Sequence, residues 1–124
     1  MDEASGLPGL HPIEAYGAGG FRFGGMGHRG SILALPSGVY PWAVRDAGGI
    51  DVPSLARVLA EAGEIDHLLI GLGADFARVD PAVMQACRAR RITPDPMATA
   101  AAARTYNVLL GERRRVAAAL IAAP

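Results

Sequence analysis

The side chains with the widest chemical reach lie together near the C-terminal end of the sequence. Arg104-Thr105-Tyr106-Asn107 is preceded by Met97-Ala98-Thr99 and followed by Gly111-Glu112-Arg113-Arg114-Arg115. A guanidinium, a hydroxyl and a carboxamide inside one helical turn can converge on a carboxylate or a phosphate. At helical spacing Arg104 and Asn107 project together, while Tyr106 and Leu110 share another face. This makes Arg104, Thr105 and Asn107 candidates for an anion or small-molecule site, completed by Gly71 and Gly73 of the turn Gly71-Leu72-Gly73. The competing assignment gives the same groups to the buried backbone of neighbouring strands, with Tyr106 anchoring the core through its ring and hydroxyl.

Other motifs carry less chemistry. A dinucleotide fingerprint needs a third glycine three residues after Gly73 and a helix starting at once; position 76 is Phe, and the next helix signal is Asp80-Pro81. A tight turn at a strand exit accounts for the glycines. Gly24-Gly25-Met26-Gly27-His28-Arg29-Gly30 offers backbone amides and a guanidinium, but lacks the lysine and Ser/Thr of a phosphate-binding loop and reads as a flexible hairpin loop. His11, His28 and His67 share no ligand spacing, so no metal is expected. Glu61, Glu64, Asp66 and Asp75 read as solvated turn residues, and no nucleophile–base order is visible. These readings lean away from an enzyme and call for no cofactor. Glu112 with the following arginines is either a solvated turn or an exposed patch for a partner. Arg113 and Arg114, with Trp42, are the interaction-surface candidates, because Arg and Trp are enriched at binding hot spots.

The elements that must position these residues follow from composition and pattern. The chain has 124 residues, enough for one domain with its own core. Twelve acidic residues balance twelve basic ones, every one an arginine, so no net field recruits nucleic acid or an anionic membrane. The one cysteine, Cys87, excludes an intramolecular disulfide and reads as a small core residue. No apolar run is long enough to span a bilayer, and Met1 to Pro12 matches neither a signal nor a transit peptide, from which a cytoplasmic location is expected.

Residues 1–12, with Gly6, Pro8, Gly9 and Pro12, read as a flexible arm before a single domain over 13–124. Ile13 to Phe23 predicts two short strands around a glycine turn. Ser31 to Leu35 reads as a buried strand, and Val39 to Val44 as another, placed at an edge or bulge by Pro41. A helix opened by Pro53, a strand at His67 to Ile70, and a helix capped by Asp80 follow. Ile92 begins a short extended piece broken by Pro94 and Pro96. Thr99 is expected to cap a helix ending near Leu110 with Gly111 as its stop. Residues 115–121 fit strand or helix, with strand preferred. The order implies an α/β layered sandwich: a mixed central β-sheet, helices packed on it, and an added N-terminal β-hairpin layer.

Several segments together resemble a small family of domains of unknown biochemical activity. They are Ile13-Glu14-Ala15-Tyr16, Gly20-Phe21-Arg22-Phe23-Gly24, Gly30-Ser31-Ile32-Leu33 with Pro36, Gly38 and Trp42, Leu68 to Gly73, Met97-Ala98-Thr99, Ala103 to Leu109, and Arg114 to Ile121. The family's mitochondrial members are assembly factors for respiratory complex I, and another branch holds adipogenesis-associated proteins. The resemblance implies a compact α/β domain with the terminal segment as a strand. It implies no established cofactor, metal or reaction, and it points to protein–protein interaction. The missing transit peptide makes a bacterial-type, stand-alone member the better match. The expected function is a protein-interaction or assembly-accessory role linked to complex I biogenesis, with a protein partner and room for homo-oligomers. The alternative is small-molecule or anion binding at Arg104, Thr105 and Asn107.

Overall fold

The structure, a computed structural model, describes residues 6–124. Two sheets organise it. The larger has six strands in the order β1-β6-β5-β9-β7-β8: β1 (Leu7–Pro8), β5 (Ser31–Leu35), β6 (Gly38–Trp42), β7 (His67–Gly71), β8 (Thr93–Met97) and β9 (Val116–Leu120). The smaller is the antiparallel meander β2 (Ala15–Gly17), β3 (Gly20–Phe23) and β4 (Met26–Arg29). Helices α1 (Ala56–Ala60), α2 (Pro81–Ala89) and α3 (Thr99–Gly111) complete the fold. Its mixed sheet, helix layers and N-terminal hairpin layer agree with the expected class.

Strand β9 lies between the two halves of the large sheet. It pairs antiparallel with β5, as Leu33 with Ala119, and parallel with β7, as Leu69 with Ala118. Both its faces are covered, which explains why Val116-Ala117-Ala118-Ala119-Leu120 is continuously apolar and wholly buried. Period-two alternation divides the core. Leu33, Leu68, Ile70, Ala117 and Ala119 face Val58 of α1 and Val83 and Cys87 of α2. Ile32, Leu69, Ala118 and Leu120 face Ala102, Ala103 and Tyr106 of α3, together with Phe21 and Phe23 of the meander. The small residues on α3 let its axis approach the sheet closely.

Prolines mark the edges. In β8, Pro94 and Pro96 pair with Leu68 and Ile70 of β7. A residue whose backbone hydrogen-bonds to a parallel neighbour alternates with one whose N–H points away. The bonding positions fall on Thr93, which donates to Asp66, and Met97, which accepts from Leu72. Both prolines therefore lack an N–H only on the open side. The extended piece is a continuous strand, not one broken by proline, and its outer edge cannot template another strand. Pro41 follows the same logic: β1 covers β6 only at Gly38 and Val39.

Three local expectations change. Of the proposed arm, residues 1–5 lie outside the described residues; from Gly6 onward the segment is anchored, with Leu7 and Pro8 paired to β6 and the Gly9 N–H donated to Ser37. The glycine-rich segment after Phe23 is a turn plus a strand: Gly24 and Gly25 have φ of 57° and 74°, and Met26–Arg29 forms β4. Consecutive positive φ angles match the twist of a two-residue hairpin, so the expected hairpin is present but its turn is confined to Gly24 and Gly25. The helix opened by Pro53 is shorter than its pattern suggests, a 3-10 turn at Pro53–Leu55 leading into α1.

Candidate functional site

The polar cluster begins where β7 leaves the sheet. Thr99 is fully buried; its hydroxyl donates to the Ile121 carbonyl at 2.6 Å and accepts from the Gly73 N–H at 2.9 Å. Its own N–H donates to the Gly73 carbonyl at 2.8 Å. Thr99 is the first residue of α3, and the preceding cap position is Ala98, which has no side-chain bond. Thr99 therefore ties two strand ends to the helix start instead of capping the helix. Gly71 is required by close approach, since a Cβ there would lie 2.9 Å from both Leu120 Cδ2 and Thr99 Oγ1. The Gly73 carbonyl thus occupies the first amide of α3.

One to two turns along α3, the side chains reach the N-terminal segment. Asn107 accepts from the Ile13 N–H and donates to the Ile13 carbonyl, both at 2.8 Å. The carboxamide thus acts as a neighbouring strand would, and satisfies a backbone unit that no sheet pairs. Tyr106 is fully buried, its hydroxyl 3.4 Å from the His11 carbonyl, and desolvation pushes its pKa up to about 12. Arg104 is exposed and donates to the Tyr16 hydroxyl at 2.9 Å, while Thr105 points to the Met97 sulfur at 3.9 Å. Arg104 and Asn107 therefore do project together, both toward residues 13–16. Thr105 turns toward β8, and Gly71 and Gly73 are met by Thr99. The five residues are not gathered around one cavity.

The C-terminal end of α3 is more open. The Arg113 N–H donates to Leu110 at 3.0 Å and the Arg114 N–H to Leu109 at 2.9 Å, the paired bonds of a Schellman stop. Gly111, the expected stop, is the last helical residue, and Arg113 takes the left-handed position with φ 61°. A side chain there costs roughly 1–2 kcal/mol that glycine avoids. A cation near a helix C-terminus returns roughly 0.3–1 kcal/mol, so the dipole alone does not offset the strain.

Beside this stop lies a recess of ≈280 Å³. Leu10, Pro36, Leu110 and Val116 line it with apolar surface, while Glu64 and the three consecutive arginines form its rim. Arg115 is engaged, 3.5 Å from Asp66 and bonded to the Gly63 carbonyl. Arg113 and Arg114 pair with no carboxylate among the described residues. Leu10 is 56% exposed, an apolar side chain left largely in water. The sequence marks the arginines of this recess. Leu10 and Pro36 are brought in from far along the chain, and no local pattern signals them.

Trp42 is not on this surface. It is buried in the core facing α1 and α2, and its indole N–H donates to the Ser54 carbonyl at 2.8 Å. A large ring on a half-covered strand gains more from burial than from display. A shallower depression of ≈640 Å³ spans the outer face of the meander, with Arg22 and Arg29 among its walls. Among the described residues no cluster of His, Cys, Asp and Glu could hold a metal. Cys87 is buried and its thiol pKa is raised by desolvation, Arg88 offsetting this only in part. Both it and Tyr106 are held protonated at neutral pH.

Relatives place these observations in a wider set. Residues 13–121 match the family described as Protein of unknown function (DUF498/DUF598). An uncharacterized protein of Rhodobacter capsulatus is 44% identical over 119 residues, covering 96% of this chain and 90% of the relative. NADH dehydrogenase [ubiquinone] 1 alpha subcomplex assembly factor 3 of Xenopus tropicalis is 32% identical over 109 residues, 88% of this chain. The matched region spans 60% of that assembly factor's length. Among solved structures, an outer membrane protein from Bartonella henselae superposes with a TM-score of 0.91 at 45% identity, covering 95% of this chain and 99% of that one. A Mth938-like domain from Bordetella pertussis superposes with a TM-score of 0.79 at 26% identity, covering 91% and 86%.

Proposed function

This chain belongs to the DUF498/DUF598 family of proteins of unknown function, and on that footing we propose that it is a non-catalytic, protein-binding accessory in the biogenesis of respiratory complex I. The observation that carries the proposal is the likeness to an assembly factor along 88% of the chain. The surface chemistry supports it. Of the polar groups of α3 that look most like a reaction site, Asn107 is committed to the Ile13 backbone and Arg104 to the Tyr16 hydroxyl, while Thr105 turns toward Met97. What α3 presents to solvent at its end is an apolar recess edged by arginines, a composition suited to protein recognition. Among the described residues no helix is long and apolar enough to cross a membrane.

Deleting the gene in the encoding organism and resolving respiratory complexes on native gels tests the role. The expected result is a fall in assembled complex I, restored by the wild-type gene. Undiminished complex I overturns the reading. A second reading, anion or small-molecule binding at Arg104, Thr105 and Asn107, draws on one observation: the exposed Arg104 guanidinium has a hydroxyl partner in Tyr16 but no carboxylate among the described residues. Titration of inorganic phosphate into wild type and Arg104→Ala, with melting temperature as the folding control, tests it. Equal responses of the two proteins remove this reading.

A further inference from the structure

The recess beside the end of α3 has a chemistry specific enough to describe its occupant. Its volume, ≈280 Å³, falls below the ~300–1,000 Å³ usual for drug-sized ligands. It suits an inserted side chain better than a nucleotide or coenzyme. The floor and walls are aliphatic, from Leu110, Val116, Pro36 and the exposed Leu10. At the rim stand Arg113 and Arg114, both exposed and neither neutralised by a carboxylate among the described residues. In a chain with zero net charge, this is a local excess of positive charge around an apolar floor. Arg113 occupies a left-handed backbone position, φ 61°, as Arg91 does at the end of α2, φ 62°, so glycine at 113 would relieve strain.

We propose that this recess binds an acidic, aliphatic linear segment of a protein partner. One aliphatic side chain of the segment seats against Leu10, Pro36, Leu110 and Val116. Flanking carboxylates pair with Arg113 and Arg114, as guanidinium forks favour. Glu64 on the same rim repels a uniformly acidic strand and orients the segment, carboxylates toward the arginines. The proposal rests on the protein-binding reading above and supplies the chemistry of the partner.

The test uses the full chain, labelled with ¹⁵N, and a capped synthetic hexapeptide of two leucines flanked by aspartates. Saturable amide shifts are expected at residues 110–116 and next to Leu10, weakening as salt rises. Peptides with asparagine for aspartate, or serine for leucine, should bind about tenfold more weakly or worse, the loss of one charge-assisted contact or one buried side chain. Arg113→Gly removes the guanidinium while giving the helix stop its preferred residue. It should lose about tenfold in affinity and melt no lower than wild type. Arg114→Gln should lose affinity similarly. Absent shifts in the recess, equal binding of the asparagine peptide, or full affinity in Arg113→Gly overturns the proposal. Failure of the two readings can be told apart. If deletion spares complex I but the peptide binds as described, the assembly role falls and the recess stands. If deletion lowers complex I and Arg113→Gly restores it fully, the recess falls and the assembly role stands.

Discussion

Replacing Thr99 by valine preserves side-chain volume and removes one hydroxyl, which isolates what that hydroxyl does. In the wild type it serves two backbone groups, the Ile121 carbonyl at 2.6 Å and the Gly73 N–H at 2.9 Å, in a site with no solvent exposure. Valine leaves both without a partner, and each orphaned buried group costs about 1–3 kcal/mol. Partial relaxation and the added methyl contact offset some of this, so a loss of about 2–4 kcal/mol is expected, a large share of a typical domain's stability. Thr99→Ser keeps both bonds and vacates one methyl, worth about 1 kcal/mol. The expected order is wild type, then serine, then valine. Trp42, the only tryptophan and 6% exposed, reports unfolding in urea by its emission. A valine variant within about 0.5 kcal/mol of wild type, below the ~1 kcal/mol minimum for a single orphaned group, would refute the reasoning. So would a serine variant less stable than the valine one.

Further expectations are more local. Gly71→Ala puts a methyl 2.9 Å from Leu120 Cδ2 and Thr99 Oγ1 and 3.1 Å from Thr99 Cα; overpacking of this kind costs about 1–3 kcal/mol, read from the same urea curves. Asn107→Leu leaves the Ile13 peptide unit unpaired and should loosen residues 13–16 before the rest; hydrogen exchange at the Ile13 amide should accelerate at least tenfold while the β9 amides keep their protection. Tyr106, with its pKa raised to about 12 from a reference of 10.0, holds its proton more tightly folded than unfolded. Its contribution is complete below pH 10 and is lost as pH rises through about 12, with a slope of at most about 1.4 kcal/mol per pH unit. Comparing the stability of wild type and Tyr106→Phe from pH 9.5 to 12 checks this, and parallel curves contradict it.

Patterns read from the sequence succeed where a local cause suffices. Asp80 accepts from the Ala82 N–H ahead of Pro81 as its type predicts, and the continuous apolar runs at 31–35 and 67–70 are buried strands. They fail where the partner is distant. Thr99 stands at a helix start and looks like a cap, but its partners are Gly73 and Ile121, brought near only by the sheet. Trp42 looks displayable until Ser54 folds over it. Pro94 and Pro96 look like breakers because strand register, which aims their missing donors outward, is a property of the assembled sheet. The candidate cluster on α3 is legible as a group of polar residues that could either hold an anion or satisfy neighbouring backbone, but not as one that faces residues 13–16. That Asn107 would serve Ile13 was beyond local pattern, since 94 residues separate them.

The position of β9 has a consequence for synthesis on the ribosome. Strands β5 and β6 can form a hairpin early, and β7, α2 and β8 can form a parallel unit later, yet neither pairs with the other except through residues 116–120. A nascent chain that has emerged as far as Gly111 carries two half-sheets, each with a bare hydrogen-bonding edge where residues 116–120 will pair. Closure waits for residues 116–120 to leave the exit tunnel. During that interval the alanine-rich strand is the missing keystone, and holdase chaperones or a bound partner would have their strongest claim on the chain.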